Sequence, residues 1–136
     1  MGMKAHVSRS VLIGIRRISA DAAPREACGL LFGTPGRITD WQAVENVAKE
    51  PERRFELEPG ALFAALRAER AGGPKIQGYW HSHPGGDATP SITDAAMAQP
   101  DGKLWLIVAQ EGETLWRSED RGSLHGRFTP VELIPA

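Results

Sequence analysis

The sequence predicts a mixed α/β (α+β) domain in which two principal helices and a short third one lie against a sheet. Two stretches repeat their apolar residues at helical spacing, one near the N-terminus (Val11, Leu12, Ile15, Ile18) and one in the middle (Leu62, Phe63, Leu66). The apolar run at 104–108 suits a central strand buried on both faces. Short runs rich in branched and aromatic residues, punctuated by Gly, Pro and charged turns, account for most of the remainder. At 136 residues, positions 1–136 are expected to form one domain around one core.

Taken in order, the first helix is predicted over about residues 8–20, with Ser8 or Ser10 available as a cap and residues 21–24 breaking it. A short buried strand follows at 28–32, closed by Gly33. Two more are predicted at 44–48 and 53–57, separated by polar turn residues. The second helix is predicted over about 59–71, with Pro59 near its first position and Gly72, Gly73 and Pro74 ending it. The next strand, 75–80, runs directly into His81-Ser82-His83-Pro84, and a loop at 85–90 leads to a short helix at 91–99. After the central strand, 114–117 and 127–133 are expected as antiparallel edge strands.

Sixteen Lys plus Arg against seventeen Asp plus Glu leave a formal charge of −1. That balance gives no support to a nucleic-acid-coating protein, which needs a cationic surplus facing the phosphates. With Cys28 as the single cysteine, neither an intramolecular disulfide nor a four-thiolate zinc site can form. Any metal must be held mainly by His and carboxylate. The first ten residues are mixed and polar, and the apolar run at 11–15 stops at Arg16-Arg17. No signal peptide or membrane span is expected from them, so the cytoplasm is the expected location.

Of four histidines, His81 and His83 stand one residue apart. On a strand, residues i and i+2 point to the same face, so both imidazoles can reach one metal ion while Ser82 points the other way. Pro84 and Gly85-Gly86 then end the strand, placing the pair at its carboxyl edge, where open α/β sheets hold ligands. Two polar residues at a strand end are the plain alternative. Ser91-Ile92-Thr93-Asp94 has the pattern of a capping box, and it also starts a helix that a loop could bring back beside the imidazoles. Two His and one Asp would make a three-ligand site with an open fourth position, the ligand count of catalytic zinc. Glu26, just ahead of an apolar run, is either a solvated strand-entry residue or the proton-transferring group such a site needs.

Taken together, Glu26, His81-Ser82-His83-Pro84 and Ser91-x-x-Asp94 resemble the JAMM motif of the JAB/MPN metalloprotease family. The likeness extends to Pro24-x-Glu26-x-Cys28-Gly29-x-Leu31-x-Gly33, to Val44-Glu45-Asn46-Val47 and to Gly78-Tyr79-Trp80, and covers about residues 8–134. It implies a three-layer αβα, cytidine-deaminase-like fold. It also implies zinc held by His81, His83 and Asp94 with a water as fourth ligand, Glu26 as general acid/base, and Ser91 as a donor to the oxyanion. Such enzymes cleave peptide or isopeptide bonds after the C-terminal Gly-Gly of ubiquitin-like proteins. The chain lacks the insertions of the eukaryotic members and is similar to the small stand-alone bacterial type, whose substrates are sulfur-carrier proteins of ubiquitin fold. Deaminase activity itself fits poorly, since that class needs a Pro-Cys-x-x-Cys zinc motif. The rival expectations are a catalytically silent scaffold module of the same fold and a metallohydrolase of phage-tail or cell-wall assembly.

Several other residues have plain expected roles. Cys28 is a small core residue rather than a nucleophile, and Trp80 is core. Gly85-Gly86 is a turn. His6 and His125 are expected at the surface, and Asn46 is expected to bond backbone near the cleft.

Overall fold

The computed structural model describes residues 3–136. Among them the elements run β1 (Met3–Val7), α1 (Arg9–Ala22), β2 (Cys28–Thr34), β3 (Arg37–Val44), α2 (Pro59–Arg70), β4 (Ile76–Ser82), α3 (Ile92–Met97), β5 (Leu104–Ala109), β6 (Gly112–Gly122) and β7 (Gly126–Pro135). The strands are ordered β1-β3-β2-β4-β5-β6-β7 and close on themselves. β1 pairs in parallel with β3 and with β7, β4 pairs in parallel with β5, and the other junctions are antiparallel.

Helices cover both faces of this mixed sheet, because successive strand residues point to opposite sides. Val11, Leu12 and Ile15 of α1 meet Val7, Leu31, Ile38, Trp80, Leu106, Leu115 and Val131, one residue from every strand. Burying each such aliphatic side chain is worth about 2 kcal/mol. Leu30, Phe32 and Ile76 face the other way and pack on Ala65 of α2. On that same side Trp105 and Phe128 pack with Phe55 and with Ala98, just past α3. Gly29 is needed between the layers: a Cβ there would lie 1.9 Å from the Gln42 carbonyl oxygen and 2.4 Å from the Trp80 indole nitrogen. Without it, the Trp80 indole crosses β2 and donates to Gln42 O at 3.1 Å.

The three expected helices are present, with α1 continuing to Ala22, and the strand predicted at 75–80 extends through His81 and Ser82. The strands expected at 44–48 and 53–57 are not. The strand there is β3, which ends at Val44, and beyond it only an isolated bridge joins Asn46 to Leu57. Two causes are visible. In β3 only Ile38 and Val44 are buried, with exposed Arg37, Thr39, Asp40 and Gln42 among them, and much of the backbone after it hydrogen-bonds the Asn46 side chain. The segments at 114–117 and 127–133 lie within longer strands and are not edges, because β7 pairs with β1 and closes the sheet. β1 itself is unassigned by the sequence: only Ala5 and Val7 are buried in its five residues, too short a stretch to show a period. His6, expected at the surface, lies in that strand and is half-buried.

Candidate metal centre

β4 delivers both histidines at its carboxyl end. It runs parallel to β5 with His81 opposite Ile107, and the ladder continues past the strand as His83 N–H donates to Val108 O at 2.8 Å. Ser82 points to the opposite face, where its hydroxyl accepts from Ala27 N–H at 2.8 Å while its own N–H donates to Ala27 O at 3.0 Å. The serine between the histidines thus ties their strand to the segment that carries Glu26.

Asp94 arrives from the first turn of α3. Ser91 Oγ accepts from Asp94 N–H and Asp94 Oδ2 accepts from Ser91 N–H, both at 2.9 Å, so the capping box is real. The same Oδ2 lies 3.2 Å from His81 Nε2 and 3.2 Å from His83 Nε2, and the two nitrogens are 3.0 Å apart. Asp94 therefore caps the helix and faces both imidazoles at once.

This triangle fits a metal ion. Four ligands at the usual 2.0–2.1 Å from a tetrahedral zinc are separated by about 3.3 Å. The donor chemistry agrees. His83 Nδ1–H donates to Asp87 O at 2.7 Å, which leaves Nε2 of the neutral ring as a lone pair facing the triangle. His81 Nδ1 is buried without a partner, and its ring is held by aromatic neighbours instead. Phe55 stacks on it with ring centroids 4.4 Å apart, and Trp105 meets it edge-on at 5.6 Å.

Glu26 stands beside the triangle, only 6 % exposed, with Oε1 unpartnered. One of its carboxylate oxygens and ring nitrogens of His81 and His83 all lie within 4.8 Å of one another. Its backbone is anchored on both sides: Glu26 N–H donates to Pro51 O at 2.7 Å, and Asn46 Nδ2 donates to Glu26 O at 2.9 Å. Asn46 also donates to Arg54 O and accepts from Ala48 and Glu56 N–H, so one side chain organises the loop beside the site.

The electrostatics separate the acids. Burial pushes Glu26 up to about 7, offset in part by attraction to His83. Burial also works against a charged Asp94, but the charge and hydrogen bond of His81 and the bond from His83 hold its carboxyl well below the ordinary range. Burial pulls His81 below its ordinary value, against the attraction and hydrogen bond of Asp94. His83 feels the same burial, yet bonds to Asp94 and Asp87 O hold it above its ordinary value. Cys28 is pushed up to about 12 by burial and by Glu26, and its thiol donates to Val44 O, so it is a core thiol.

All five polar positions read from the sequence are brought together. Phe55, Trp105 and the Asp87 carbonyl also shape the site, and no local spacing marks them. His125 is exposed as expected, but its Nε2–H donates to Pro90 O at 3.0 Å and steadies the approach to Ser91. Two clefts lie near these residues. One of about 540 Å³ runs from His83 to Glu111 and Arg16, and another of about 660 Å³ is floored by Phe55, Tyr79 and Trp105.

A buried carboxyl beside a triangle of two imidazoles and a carboxylate is an arrangement suited to metal-dependent hydrolysis. Comparison with known proteins places it more narrowly. Residues 8–119 match the model of prokaryotic homologs of the JAB domain, and the chain belongs to that family. It is 34% identical over 114 residues to the desampylase of Haloferax volcanii, covering 82% of each chain. It is 32% identical over 98 residues to a probable TtuB-protein conjugate cleaving protease of Thermus thermophilus, covering 72% of this chain and 66% of the other. A JAB1/MPN domain protein from Archaeoglobus fulgidus shares the fold at a TM-score of 0.61 and 20% identity, covering 98% and 100% of the two chains. Among the described residues no helix is long and apolar enough to cross a membrane.

Proposed function

We propose that the protein is a zinc-dependent peptidase that hydrolyses the peptide or isopeptide bond after the C-terminal Gly-Gly of a ubiquitin-like or sulfur-carrier protein. One observation carries the chemistry: the 3.0–3.2 Å triangle of His81, His83 and Asp94 with an unpartnered Glu26 Oε1 beside it. His81, His83 and Asp94 would hold the zinc, which would supply a Lewis acid for the scissile carbonyl and for a water at neutral pH. Glu26 takes the proton of the attacking water on a carboxylate oxygen and hands it to the leaving nitrogen, a task suited to a carboxyl near 7. Ser91 Oγ accepts from Asp94 N–H, so its own proton is free for the developing oxyanion.

The substrate class is supported by the Thermus relative, whose name describes cleavage of protein conjugates. The cleft that His83 lines suits an extended chain running to the metal, and residues without side chains lie flattest over buried ligands.

The test uses ubiquitin-fold carriers extended past their Gly-Gly ends, with cleavage followed by mass. Purified protein is expected to hold about one zinc per chain and to lose cleavage with chelator, regaining it with zinc. Glu26→Gln should keep the metal and lose about 10²- to 10⁴-fold in turnover. Full hydrolysis by that variant would overturn the assigned base, and equal zinc content in His81→Ala/His83→Ala and parent would overturn the metal site.

A further inference from the structure

Between His83 and Ser91 the chain makes a loop in which one peptide group has both its polar atoms engaged by side chains. The carbonyl oxygen of Asp87 accepts His83 Nδ1–H at 2.7 Å. The N–H of the same peptide unit, carried by Ala88, donates to Glu111 Oε1 at 2.9 Å. The following carbonyl, Ala88 O, accepts from Thr114 Oγ1, which in turn accepts the Trp116 indole N–H at 2.8 Å. Ala88 is 4 % exposed, so its own N–H and carbonyl are shielded from water, while Asp87 and Glu111 lie at the surface. Glu111 follows β5 and Thr114 lies on β6, so the hairpin joining those strands grips the loop from outside. Arg16, which lines the same cleft, is paired with Glu113 instead.

We propose that Glu111 is a positioning residue for His83 and acts through the Asp87–Ala88 peptide. A carboxylate on the N–H side of a peptide polarises it and makes its carbonyl oxygen a stronger acceptor. Here that oxygen receives His83 Nδ1–H. The chain His83 Nδ1–H to Asp87 carbonyl, and Ala88 N–H to Glu111 carboxylate, keeps the proton on Nδ1 and the Nε2 lone pair aimed at Asp94 and His81. Metal-ligating histidines commonly donate their second N–H to a carboxylate directly, and in this protein a peptide stands between the two. His81 has no such partner on Nδ1 and relies on Phe55 and Trp105. The two imidazoles are therefore held by different forces, and a change at Glu111 reaches only one of them.

This inference rests on the metal role proposed above, so its test has one readout with zinc and one without. Zinc dissociation constants are measured by chelator competition for the parent, Glu111→Ala and Glu111→Gln. Glu111→Ala should weaken zinc about tenfold, the low end for outer partners of metal ligands. Glu111→Gln keeps a carbonyl oxygen for the Ala88 N–H and should recover most of that loss. In the metal-free protein, at a pH where the ring is neutral, nitrogen NMR should show His83 with its proton on Nδ1. Glu111→Ala should mix in the Nε2–H form at His83 and leave His81 unchanged, which a general loss of stability would not do. Glu111 is exposed, so the variants should fold, and urea melts check that they do. Parent-like zinc affinity and an unmixed His83 tautomer in Glu111→Ala would overturn the proposal. A parent that binds no zinc would instead sink the functional reading, while the tautomer measurement would still decide the role of Glu111.

Discussion

Phe55→Ala separates packing from metal binding at the site. The ring is 4 % exposed and is wedged between His81, Trp105 and the Cys28–Phe128 cluster. Truncating a buried Phe costs about 3–5 kcal/mol, and the lower end applies because the space left opens toward a 660 Å³ cleft that water can enter. A loss of about 3 kcal/mol leaves a domain of ordinary stability folded. With a urea slope of about 2 kcal/mol/M, the midpoint should fall by about 1.5 M. His81 has no hydrogen bond on Nδ1 to hold its ring, so losing the stacked face should also weaken zinc about tenfold. Phe55→Leu refills most of the volume without a flat face, and should recover stability more fully than zinc affinity. The two measurements are a urea melt of the metal-free protein and chelator competition. A Phe55→Ala protein with the expected midpoint shift but parent-like zinc affinity would refute the idea that stacking orients His81.

Two further predictions address the acids and the cap. Glu26 is raised from 4.5 to about 7 in the folded protein, so its protonated form stabilises the metal-free fold below about pH 4.5 and that contribution is lost as pH rises toward 7. Stability of the parent should fall across that window, and Glu26→Gln should remove part of the slope; identical slopes in urea melts of the two proteins would contradict the buried carboxyl. Ser91→Ala should cost about 1 kcal/mol of stability through the lost cap, and Ser91→Gly only a few tenths. Both should lose about 10²- to 10³-fold in turnover if Ser91 donates to the oxyanion, so a Ser91→Gly enzyme of parental rate would remove that role.

The site was legible where its residues are local to one another. His81 and His83 share a strand face by spacing alone, and Ser91 with Asp94 fit a helix start. Glu26 stood out because every residue from Ala27 to Gly33 is apolar or small. Helices α1 and α2 were legible through their apolar spacing and, for α2, through Pro59 and the glycines that end it. What stayed hidden depends on contacts between distant segments. Phe55 reaches His81, and Glu111 reaches Ala88 across 23 positions, and neither pair has a period or motif. β1 stayed hidden for the same reason, since its strand identity comes from its partners β3 and β7 rather than from its five residues. Asn46 was placed near the cleft, but its organising role appears only when its five partners are seen to come from both sides of one loop.

Each functional group is held by a different device, and this has a consequence for the metal-free protein. Asp94 is fixed by a helix cap, His83 by a peptide carbonyl, His81 by two aromatic faces and Glu26 by backbone bonds to Pro51 and Asn46. None of these restraints uses a metal. The protein's own bonds therefore fix His81, His83 and Asp94 relative to one another, so little ordering entropy would oppose binding of the proposed metal. The strain of that arrangement falls on the unpaired groups. Two imidazole nitrogens 3.0 Å apart each face one carboxylate oxygen at 3.2 Å, and His81 Nδ1 and Glu26 Oε1 are buried with no protein partner. Buried polar groups left without any partner would cost about 1–3 kcal/mol each, so a metal or water that satisfied them would stabilise the fold as it bound.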